Sequence, residues 1–572
     1  MKFVLALVLL TSCAQFSNNI VTAPLAAGQT REGHEASGQK WAIATQGDAA
    51  SQAGARMFAL GGNAVDAAAA ISFTISVERP QSTGIGGGGF LLLHGPSLEA
   101  PIAFDFREKA PLKSNSKMYL DKNGKEIKGK SLDGIFAVGV PGLVAGVIEV
   151  HRRYGLLDLA EVLKPSIELA RKGFSIYPEL ARAIKARSDV LSTYKDSKKI
   201  FLHTDGSPKI EGEVLVQEDL AKTLEVIAKK GHDGFYKGEV AQKIIQEHQR
   251  HGGLMTQKDL DIYNVKMRKP VYGSYNEFDI YSMSPPSSGG IHVIQILNTV
   301  EKDHLKTFGP QDYRSVHLIS SAMQQAFADR ATHLGDADFV KVPTEQLTSK
   351  HYAGKVRVKI PNDKALKQSE VQAGSFDFTE HDETTHFSVM DNEGLVVSST
   401  QTINGWFGSG VVAQGTGIVL NNEMDDFSTK AGAMNLFGAV GSNQNLVEPQ
   451  KRPLSSMSPT IVLKYGKPFM ALGTPSGTRI LTCVAQTLLN RLEFDLPLWE
   501  SVSALRYHQQ WAPDQLRFEE VEIPSRLKEK LESMGHKIVQ KDLGCKIQAI
   551  EKDGQSIHAV ADPRGEGRAL AQ

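Results

Sequence analysis

The feature that most constrains the fold is a hairpin pattern near residue 390. The segments HFSVMD (386–391) and LVVSSTQT (395–402) alternate apolar and polar residues, and DNEG joins them. This alternation is typical of strands with one face in a core, and a short loop ending in Gly is typical of a hairpin turn. The acidic segment 375–383 lacks the pattern. The sequence therefore predicts that an exposed linker meets a core strand at Thr384.

Strand and helix patterns alternate along the rest of the chain. Strands are predicted at FLLLHG (90–95) and PIAFDF (101–106), and a second hairpin at TIVLKYG (460–466) and KPFMALG (467–473). Helices are predicted over 48–60, 63–77, about 140–335 with breaks, about 478–508 and 525–535. Strand pairs between helical blocks predict a layered α/β arrangement with mostly antiparallel sheets.

The charge balance and apolar content exclude two classes of protein. The 64 basic and 64 acidic residues give a formal net charge of zero, whereas a nucleic-acid binder usually has a basic excess. No internal apolar run reaches the roughly 18 residues that a membrane span needs.

The N-terminus has the layout of an export signal. MKFVLALVLLTSCAQ places one Lys before a short apolar run, and small residues follow. Its LTSC segment also resembles a bacterial lipobox, in which Cys13 is acylated; plain signal cleavage is the alternative. Residues 1–13 are predicted to be this signal. Residues 14–40, rich in Ser, Ala, Gly and Gln, are predicted to be a tether.

Two further cysteines, Cys483 and Cys545, leave two alternatives. In an exported protein they can form a bridge, but Cys483 lies in an apolar helical run. Free Cys is among the most buried residue types. The sequence therefore favours two buried free thiols.

Thr384, at the predicted junction, is a candidate nucleophile. A threonine hydroxyl is a poor nucleophile near neutral pH and needs a base within hydrogen-bond reach. When threonine is the first residue of a chain, its own α-amine, with a reference pKa of about 7.7–8.0, supplies that base. Cleavage between Glu383 and Thr384 would create such a residue. An ordinary strand start is the alternative. His386 is predicted to be a structural residue of the strand and not the base.

Three other patterns do not predict a site. GIGGGG (84–89) fits a dinucleotide fingerprint, but a helix precedes it and a strand follows, which is the reverse of the required order. Its glycines predict close backbone approach or a tight turn. Ser114 and Lys117 lie in a polar loop, and His248 and His251 lack further metal ligands nearby. No metal and no cofactor is predicted.

Eight stretches, taken together and in order, resemble one known family. They are GGNAVDAA (61–68), GIGGGGF (84–90), DFRE (105–108), SPPSSGGIH (284–292), TTHFSVMD (384–391), NNEMDDFS (421–428), KRPLSSMSPT (451–460) and GTPSGTRI (473–480). They closely resemble the gamma-glutamyltranspeptidases, members of the N-terminal-nucleophile hydrolase superfamily. The resemblance covers most of the chain from about 40 to 570.

The resemblance implies a role for particular residues. Thr384 would be the nucleophile, first of autoprocessing and then of turnover, and Thr402 would orient it. Arg107 would bind the α-carboxylate of a glutamyl substrate, because a planar guanidinium suits bidentate carboxylate binding. Ser455 and Ser456 would add hydroxyl hydrogen bonds to that carboxylate.

Further residues are implied for the ammonium group and the oxyanion. Asn404, Glu423 and Asp426 would hold the α-ammonium, so the site would bind both charges of an amino acid. The family's oxyanion donors come from a Gly-Gly pair after a proline. Here Ser476 replaces the first glycine and Gly477 keeps the second. The added Cβ would restrict the backbone at Ser476.

The resemblance also implies a lid, a fold and a subunit division. Residues 430–450 resemble the lid of the glutamyl pocket, with Phe437 where an aromatic gate residue is expected. The expected fold is a four-layer αββα sandwich with two mainly antiparallel sheets between helical layers. Cleavage would give a large subunit, 41–383, and a small subunit, 384–572, which remain one interlocked heterodimer.

The expected function is transfer or hydrolysis of γ-glutamyl groups from glutathione and related compounds. A γ-glutamyl ester of Thr384 would be resolved by water or by an amino acid or peptide, with no nucleic acid as partner. The expected location is the bacterial periplasm or cell envelope, with membrane contact only through a lipid on Cys13. The alternatives are a cephalosporin or other side-chain acylase and an inactive, lipid-anchored scaffold.

Overall fold

Two antiparallel sheets form the centre of the protein in the computed structural model, which describes residues 20–26, 28–371, 384–429 and 443–572. The strands are β1 (Glu35–Gly38), β2 (Trp41–Thr45), β3 (Gly88–His94), β4 (Ile102–Asp105), β5 (Phe174–Ser175), β6 (Val214–Leu215), β7 (Lys266–Arg268), β8 (Val271–Tyr275), β9 (Phe278–Ser282), β10 (Thr385–Asp391), β11 (Val396–Thr402), β12 (Val412–Ala413), β13 (Ile418–Val419), β14 (Thr460–Lys464), β15 (Lys467–Gly473), β16 (Tyr507–His508), β17 (Leu516–Phe518), β18 (Ile538–Gln540), β19 (Gln548–Asp553), β20 (Ser556–Ala561) and β21 (Arg568–Ala571).

The helices lie outside the two sheets. They are α1 (Arg31–His34), α2 (Asp48–Ala59), α3 (Ala64–Glu78), α4 (Leu143–Tyr154), α5 (Leu159–Lys172), α6 (Pro178–Thr193), α7 (Lys195–Phe201), α8 (Glu218–Lys230), α9 (Asp233–Tyr236), α10 (Gly238–Arg250), α11 (Gln257–Asp261), α12 (Gly289–Val300), α13 (Tyr313–His333), α14 (Thr344–Leu347), α15 (Lys350–Lys359), α16 (Arg479–Leu492), α17 (Leu498–Ser503) and α18 (Ser525–Ser533).

The sheets and helices stack in four layers. The first sheet has the order β1-β20-β19-β15-β14-β9-β8 and the second β21-β2-β10-β11-β3-β4-β7, each with seven strands. β10 packs against β15 and β19 of the other sheet. α2 and α3 cover the outer face of the second sheet, and α12, with α13 and α16 behind it, covers the first. The expected four-layer αββα sandwich is confirmed.

The period-two pattern decides which side chains enter which core. In β3, Leu91 and Leu93 pack in the core beneath α3, whereas Phe90 and Leu92 belong to the core that includes the space between the sheets. All four are at most 3% exposed. A one-residue slip of this strand would reverse both sets of contacts, because successive side chains point to opposite faces. Such a slip would be costly, since burial of each of these side chains stabilises the fold by about 1.5–3 kcal/mol.

The N-terminal end of α3 is fixed by its own sequence. The Asn63 side chain accepts hydrogen bonds from the backbone N–H groups of Val65 and Asp66, and the Asp66 carboxylate accepts one from the Asn63 N–H. This capping box satisfies donors that a helix start leaves without partners. Every residue of α3 is buried, which explains why the sequence there is apolar on all sides.

Two expectations from the sequence differ from the structure. The stretch predicted to be helical from about 140 to 335 contains β7, β8 and β9, because VYGSY and FDIYS (271–275 and 278–282) combine the aromatic and β-branched residues that favour strands. Within the predicted tether, 14–40, residues 31–38 form α1 and β1. β1 pairs with β20, which gives partners to an otherwise open sheet edge.

The preference for free thiols was wrong. Cys483 of α16 and Cys545 form a disulfide, with their Cα atoms 6.6 Å apart. Both residues are at most 2% exposed. Cys545 lies in the loop before β19, and the sequence separation of 62 between the cysteines conceals the pairing from any local pattern. The bond ties this loop to the helix that follows Gly477.

Removal of this disulfide should lower stability. The double variant Cys483→Ala/Cys545→Ala is expected to lose about 2–4 kcal/mol of unfolding free energy, because the closed loop no longer restricts the unfolded chain. Thermal and denaturant unfolding of the purified protein measure this loss. Thiol labelling of the denatured wild type is the control: modification of both cysteines without prior reduction would contradict the bond.

Candidate active site

Thr384 lies at one end of the second sheet, immediately before β10. Thr385 is opposite Gln401 in the β10–β11 pair, so the next position along the ladder brings Thr384 beside Thr402. Thr402 is in turn opposite Gly88 of β3. Thr384 is 5% exposed and Thr402 2% exposed. The two threonines predicted to act together therefore share one buried sheet end.

The glycine run 84–89 lets backbone segments meet beside Thr402. A Cβ atom on Gly87 would lie 2.0 Å from the Thr402 carbonyl oxygen, and one on Gly86 would lie 2.2 Å from that of Val419. Only glycine permits contacts this close. The close backbone approach predicted for this run is therefore present, and it packs the β3 start against the site.

One small cavity brings most of the predicted site residues together. Its lining includes nine of them: Arg107, Thr384, Thr402, Asn404, Glu423, Asp426, Ser455, Ser456 and Gly477. Ser476 precedes Gly477 in the same loop. Phe437 and Cys13 lie outside the described residues. The cavity lining is mainly polar, in agreement with a site for a charged small molecule.

The charged groups of the cavity contact each other. Arg107 follows β4 and is 1% exposed. Its guanidinium donates hydrogen bonds to the carboxylates of Glu423 and Asp426, and to the Pro453 carbonyl at 3.3 Å. Burial lowers the pKa of Arg107, but the two carboxylates outweigh it and raise the pKa overall. From the sequence, Arg107 was expected to bind the substrate carboxylate, and Glu423 and Asp426 the substrate ammonium. In the structure these three residues bond each other in one ion cluster.

A third buried carboxyl adjoins this cluster. Glu108 is fully buried, and within the described part of the chain neither of its oxygens has a hydrogen-bond partner. Burial raises the pKa of Glu108 to about 7, although Arg107 opposes the shift. Burial likewise raises the pKa of Glu423. Burial thus favours the protonated form of these carboxyls, because one guanidinium does not balance all of them.

Ser455 and Ser456 lie on a loop that is held from several sides. The Ser455 N–H donates to the Pro286 carbonyl at 2.8 Å, and the Ser288 hydroxyl donates to the Ser455 carbonyl at 2.8 Å. The Ser455 hydroxyl oxygen accepts the Met457 N–H at 3.1 Å. The backbone contacts with the 286–288 segment fix where both hydroxyls enter the cavity.

Asn404 turns the chain from β11 into the cavity. Its backbone has φ +73°, and its N–H donates to the Thr402 hydroxyl oxygen at 2.8 Å. Its side-chain amide donates to the Asn422 carbonyl at 3.0 Å. Left-handed backbone is tolerated by Asn better than by most residues. The turn therefore links the orientation of Thr402 to the segment that carries Glu423.

Ser476 has a backbone conformation that favours glycine. Its φ is +111°, which L-residues rarely adopt, and that of Gly477 is +49°. The Ser476 hydroxyl donates to the Leu543 carbonyl and accepts from the Arg479 side chain at 3.0 Å. Arg479 also donates to the Leu543 carbonyl at 3.0 Å. These hydrogen bonds stabilise Ser476 in its strained backbone conformation. They therefore offset the restriction that the added Cβ was expected to impose.

His386 is held between the sheets and does not face the cavity. Its ring is fully buried, with Nδ1 2.8 Å from the Thr400 hydroxyl oxygen and Nε2 3.1 Å from that of Ser388. Burial lowers the pKa of His386 to about 3. A neutral ring engaged on both nitrogens supports the structural role predicted for it.

Sequence reasoning missed one charged residue of the cavity. Arg330 of α13 lines the cavity and is 5% exposed. No local motif around it, in the run QQAFADRATH, distinguishes it from an ordinary helix charge. The only available signal was its position among small and apolar residues of a helix that is largely buried.

The fold and the site define a class of protein. Two antiparallel sheets between helical layers, with a threonine at the start of a central strand, are the arrangement of N-terminal-nucleophile hydrolases. The structure is similar to that of a cephalosporin acylase from Bacillus halodurans, with a TM-score of 0.84 and 26% sequence identity over 97% of this chain and 99% of the other. It is also similar to one chain of the Helicobacter pylori gamma-glutamyltranspeptidase, with a TM-score of 0.56 and 43% identity over 59% of this chain and 96% of that one.

The family is shown by the sequence match. Residues 50–572 match the family model described as gamma-glutamyltranspeptidase. The glutathione hydrolase proenzyme of Escherichia coli (strain K12) is 43% identical over 534 residues, which are 93% of this chain and 91% of the relative. The chain belongs to the gamma-glutamyltranspeptidase family and is therefore an enzyme of the hydrolase and γ-glutamyl transferase type.

Changes at Ser476 test the anchoring of the predicted oxyanion loop. Ser476→Ala keeps the strained Cβ but removes both hydrogen bonds, so kcat is expected to fall roughly tenfold with KM little changed. Ser476→Gly removes the strain together with the anchor, and its kcat is expected to stay within about threefold of the wild type. Steady-state kinetics on γ-glutamyl p-nitroanilide measure both. Equal kcat for the Ala and wild-type enzymes would refute the anchoring role.

Proposed function

We propose that the chain is an exported gamma-glutamyltranspeptidase whose nucleophile is Thr384. The observation that carries this proposal is the cavity itself, where Thr384 shares one small volume with an arginine, two acids and two serine hydroxyls. An α-amino acid carries an anion and a cation on one carbon, and this set offers partners for both. A γ-carbonyl reaches the nucleophile while the α-carbon groups bind at the far side.

The reaction divides into two acyl transfers. The Thr384 Oγ attacks the γ-amide carbonyl as its proton passes to the free α-amine, and backbone N–H groups near Gly477 stabilise the oxyanion. The C–N bond then breaks, the leaving amine takes the proton, and a γ-glutamyl ester of Thr384 remains. Water or the amine of an acceptor attacks this ester, releases glutamate or a new γ-glutamyl amide, and restores the hydroxyl.

Autocleavage before Thr384 prepares the nucleophile. It gives a large subunit, 41–383, and a small subunit, 384–572. The E. coli relative is named a proenzyme, and the matched H. pylori chain corresponds to 59% of this chain, about the share of the large subunit. Both sheets contain strands from either side of residue 384: β10 pairs with β2, and β14 pairs with β9. The two pieces therefore remain one interlocked heterodimer.

Substrate binding rearranges the ion cluster. The α-ammonium approaches Glu423, Asp426 and Asn404, and the α-carboxylate approaches Ser455 and Ser456, near the Arg107 guanidinium. Because a zwitterion adds no net charge, it exchanges existing ion pairs for new ones without leaving a buried charge unbalanced. Glutathione and related γ-glutamyl compounds meet these requirements.

The acylase alternative is favoured by one observation, the high structural similarity to a cephalosporin acylase. A glutaryl side chain has the carboxylate but no ammonium group, so it makes no use of Glu423 and Asp426. The 43% identity with a glutathione hydrolase proenzyme favours the γ-glutamyl substrate. Turnover of glutaryl-cephalosporin without turnover of γ-glutamyl p-nitroanilide would favour the acylase.

We further propose export to the cell envelope with a lipid on Cys13. The support is the N-terminal sequence pattern, since Cys13 lies outside the described residues. In the residues that the structure describes, no helix has both the length and the apolarity to cross a bilayer. An inactive scaffold anchored in the same way would remain a single chain and turn over no γ-glutamyl amide.

Thr384→Ala tests the nucleophile. This variant is expected to remain a single chain on a denaturing gel and to lose at least about 10³-fold in activity, because both autocleavage and turnover use the hydroxyl. N-terminal sequencing of the smaller wild-type band is expected to begin Thr-Thr-His-Phe-Ser.

The neighbouring threonine supplies a matched control. The Thr385 side chain is buried, and its hydroxyl has no hydrogen-bond partner in the described part of the chain. Thr385→Val removes only that hydroxyl and is expected to be cleaved and active like the wild type. Cleavage of Thr384→Ala at the same bond, or a small subunit with another first residue, would refute the mechanism.

A further inference from the structure

Arg330 differs from three other buried arginines of the protein. Arg79, Arg452 and Arg506 are each at most 2% exposed and each paired with a carboxylate, of Glu179, Asp105 and Asp562 respectively. Arg330 is buried to a similar extent, but within the described part of the chain it forms no ion pair. A buried charge without a counter-charge is costly, and proteins normally pair it.

The hydrogen bonds of Arg330 go to neutral hydroxyls. Its Nε donates to the Ser288 hydroxyl oxygen at 3.0 Å, and one terminal nitrogen lies 3.4 Å from the Ser456 hydroxyl oxygen. Burial lowers the pKa of Arg330 to about 10, although Asp426 opposes the shift, so it remains a cation at neutral pH. The guanidinium thus faces the cavity beside a predicted carboxylate-binding serine.

The adjacent carboxylate does not neutralise Arg330. Asp329 accepts hydrogen bonds from Gln295 at 2.5 Å, Tyr352 at 2.8 Å and Gln325 at 3.0 Å. These partners hold it in the packing of α13 against α12 and α15. Across the cavity, Glu423 and Asp426 both bond Arg107. Asp329, Glu423 and Asp426 therefore bond other groups, and within the described part of the chain Arg330 has no ion pair of its own.

We propose that Arg330 supplies the positive charge that selects the α-carboxylate of the substrate, acting directly and through Ser456. This inference rests on the proposed function and extends its set of binding residues. Arg107 bonds two acids that the substrate ammonium also approaches, whereas Arg330 has no ion pair in the described part of the chain, so it offers the carboxylate a further cation beside Arg107. A fork of several N–H donors allows Arg330 to bond Ser288, Ser456 and the carboxylate together.

The orientation of the hydroxyls supports the same conclusion. The Ser456 oxygen accepts from Arg330, and the Ser455 oxygen accepts from the Met457 N–H. In the described part of the chain neither hydroxyl donates to a protein acceptor. Each hydroxyl proton is therefore available for a carboxylate oxygen. Through Ser288, which bonds the Ser455 carbonyl, Arg330 also holds the loop that presents both protons.

The test compares Arg330→Gln and Arg330→Lys with the wild type on γ-glutamyl p-nitroanilide and on its α-methyl ester, which lacks the carboxylate charge. For Arg330→Gln the kcat/KM on the acid substrate is expected to fall roughly 30-fold or more, mainly through KM. The ester is expected to change by less than about threefold. Arg330→Lys keeps the charge without the fork and is expected to show an intermediate rise in KM.

Arg314→Gln is the matched control. Arg314 lies on the same helix, is 44% exposed and pairs with Asp312 at the surface, so its variant is expected to behave like the wild type. A denaturing gel checks that every variant is cleaved. If Arg330→Gln is not cleaved, the KM of Arg330→Lys decides.

Three results separate the outcomes. An unchanged KM in the Arg330 variants that are cleaved would overturn the proposal, and so would an equal loss on the acid and the ester. Failure of the wild type to turn over γ-glutamyl p-nitroanilide would instead overturn the proposed function.

Discussion

The structure depends on the antiparallel pairing of β10 with β2 and β11. This pairing fixes the position of Thr384, because one residue of slippage would move Thr384 away from Thr402 and turn the apolar side of the strand toward the wrong core. The glycines before β3 then let that strand approach closely enough to close the site. A residue at the end of a rigid sheet is placed more exactly than one on a loop, because the strand that follows it is paired on both sides.

The buried charges of the cavity determine which ligands it suits. Arg107 joins Glu423 and Asp426, the buried Glu108 lies beside them, and Arg330 stands apart with hydroxyl partners. Such a set is expensive to bury in isolation. A ligand with both charges on one carbon offers a partner to groups of either sign, whereas a singly charged ligand adds net charge to the cavity. The proposed selectivity for an amino-acid head group is thus a property of the whole set, and no single residue provides it.

The sequence predicted what local patterns and motifs encode. The 386–402 hairpin, α2 and α3 follow from periodicity, and the family motifs named nine residues that the structure brings to one cavity. The bond between Cys483 and Cys545 was missed because it joins segments 62 residues apart. Arg330 was missed because its importance comes from the absence of a counter-charge, which is a tertiary property. Contact between Arg107 and the acids was likewise not encoded locally.

Each of the two sheets contains strands from both sides of residue 384, and this has a consequence for folding and refolding. β1 and β2 precede Thr384, yet their partners β20, β10 and β21 follow it. Before cleavage, folding is a reaction of one chain, and these contacts form at an effective concentration that the covalent link sets. After the proposed cleavage, the same contacts would hold two chains, and refolding would become bimolecular. The proposed cut before Thr384 would thus leave the mature fold intact while making its recovery from unfolding dependent on protein concentration.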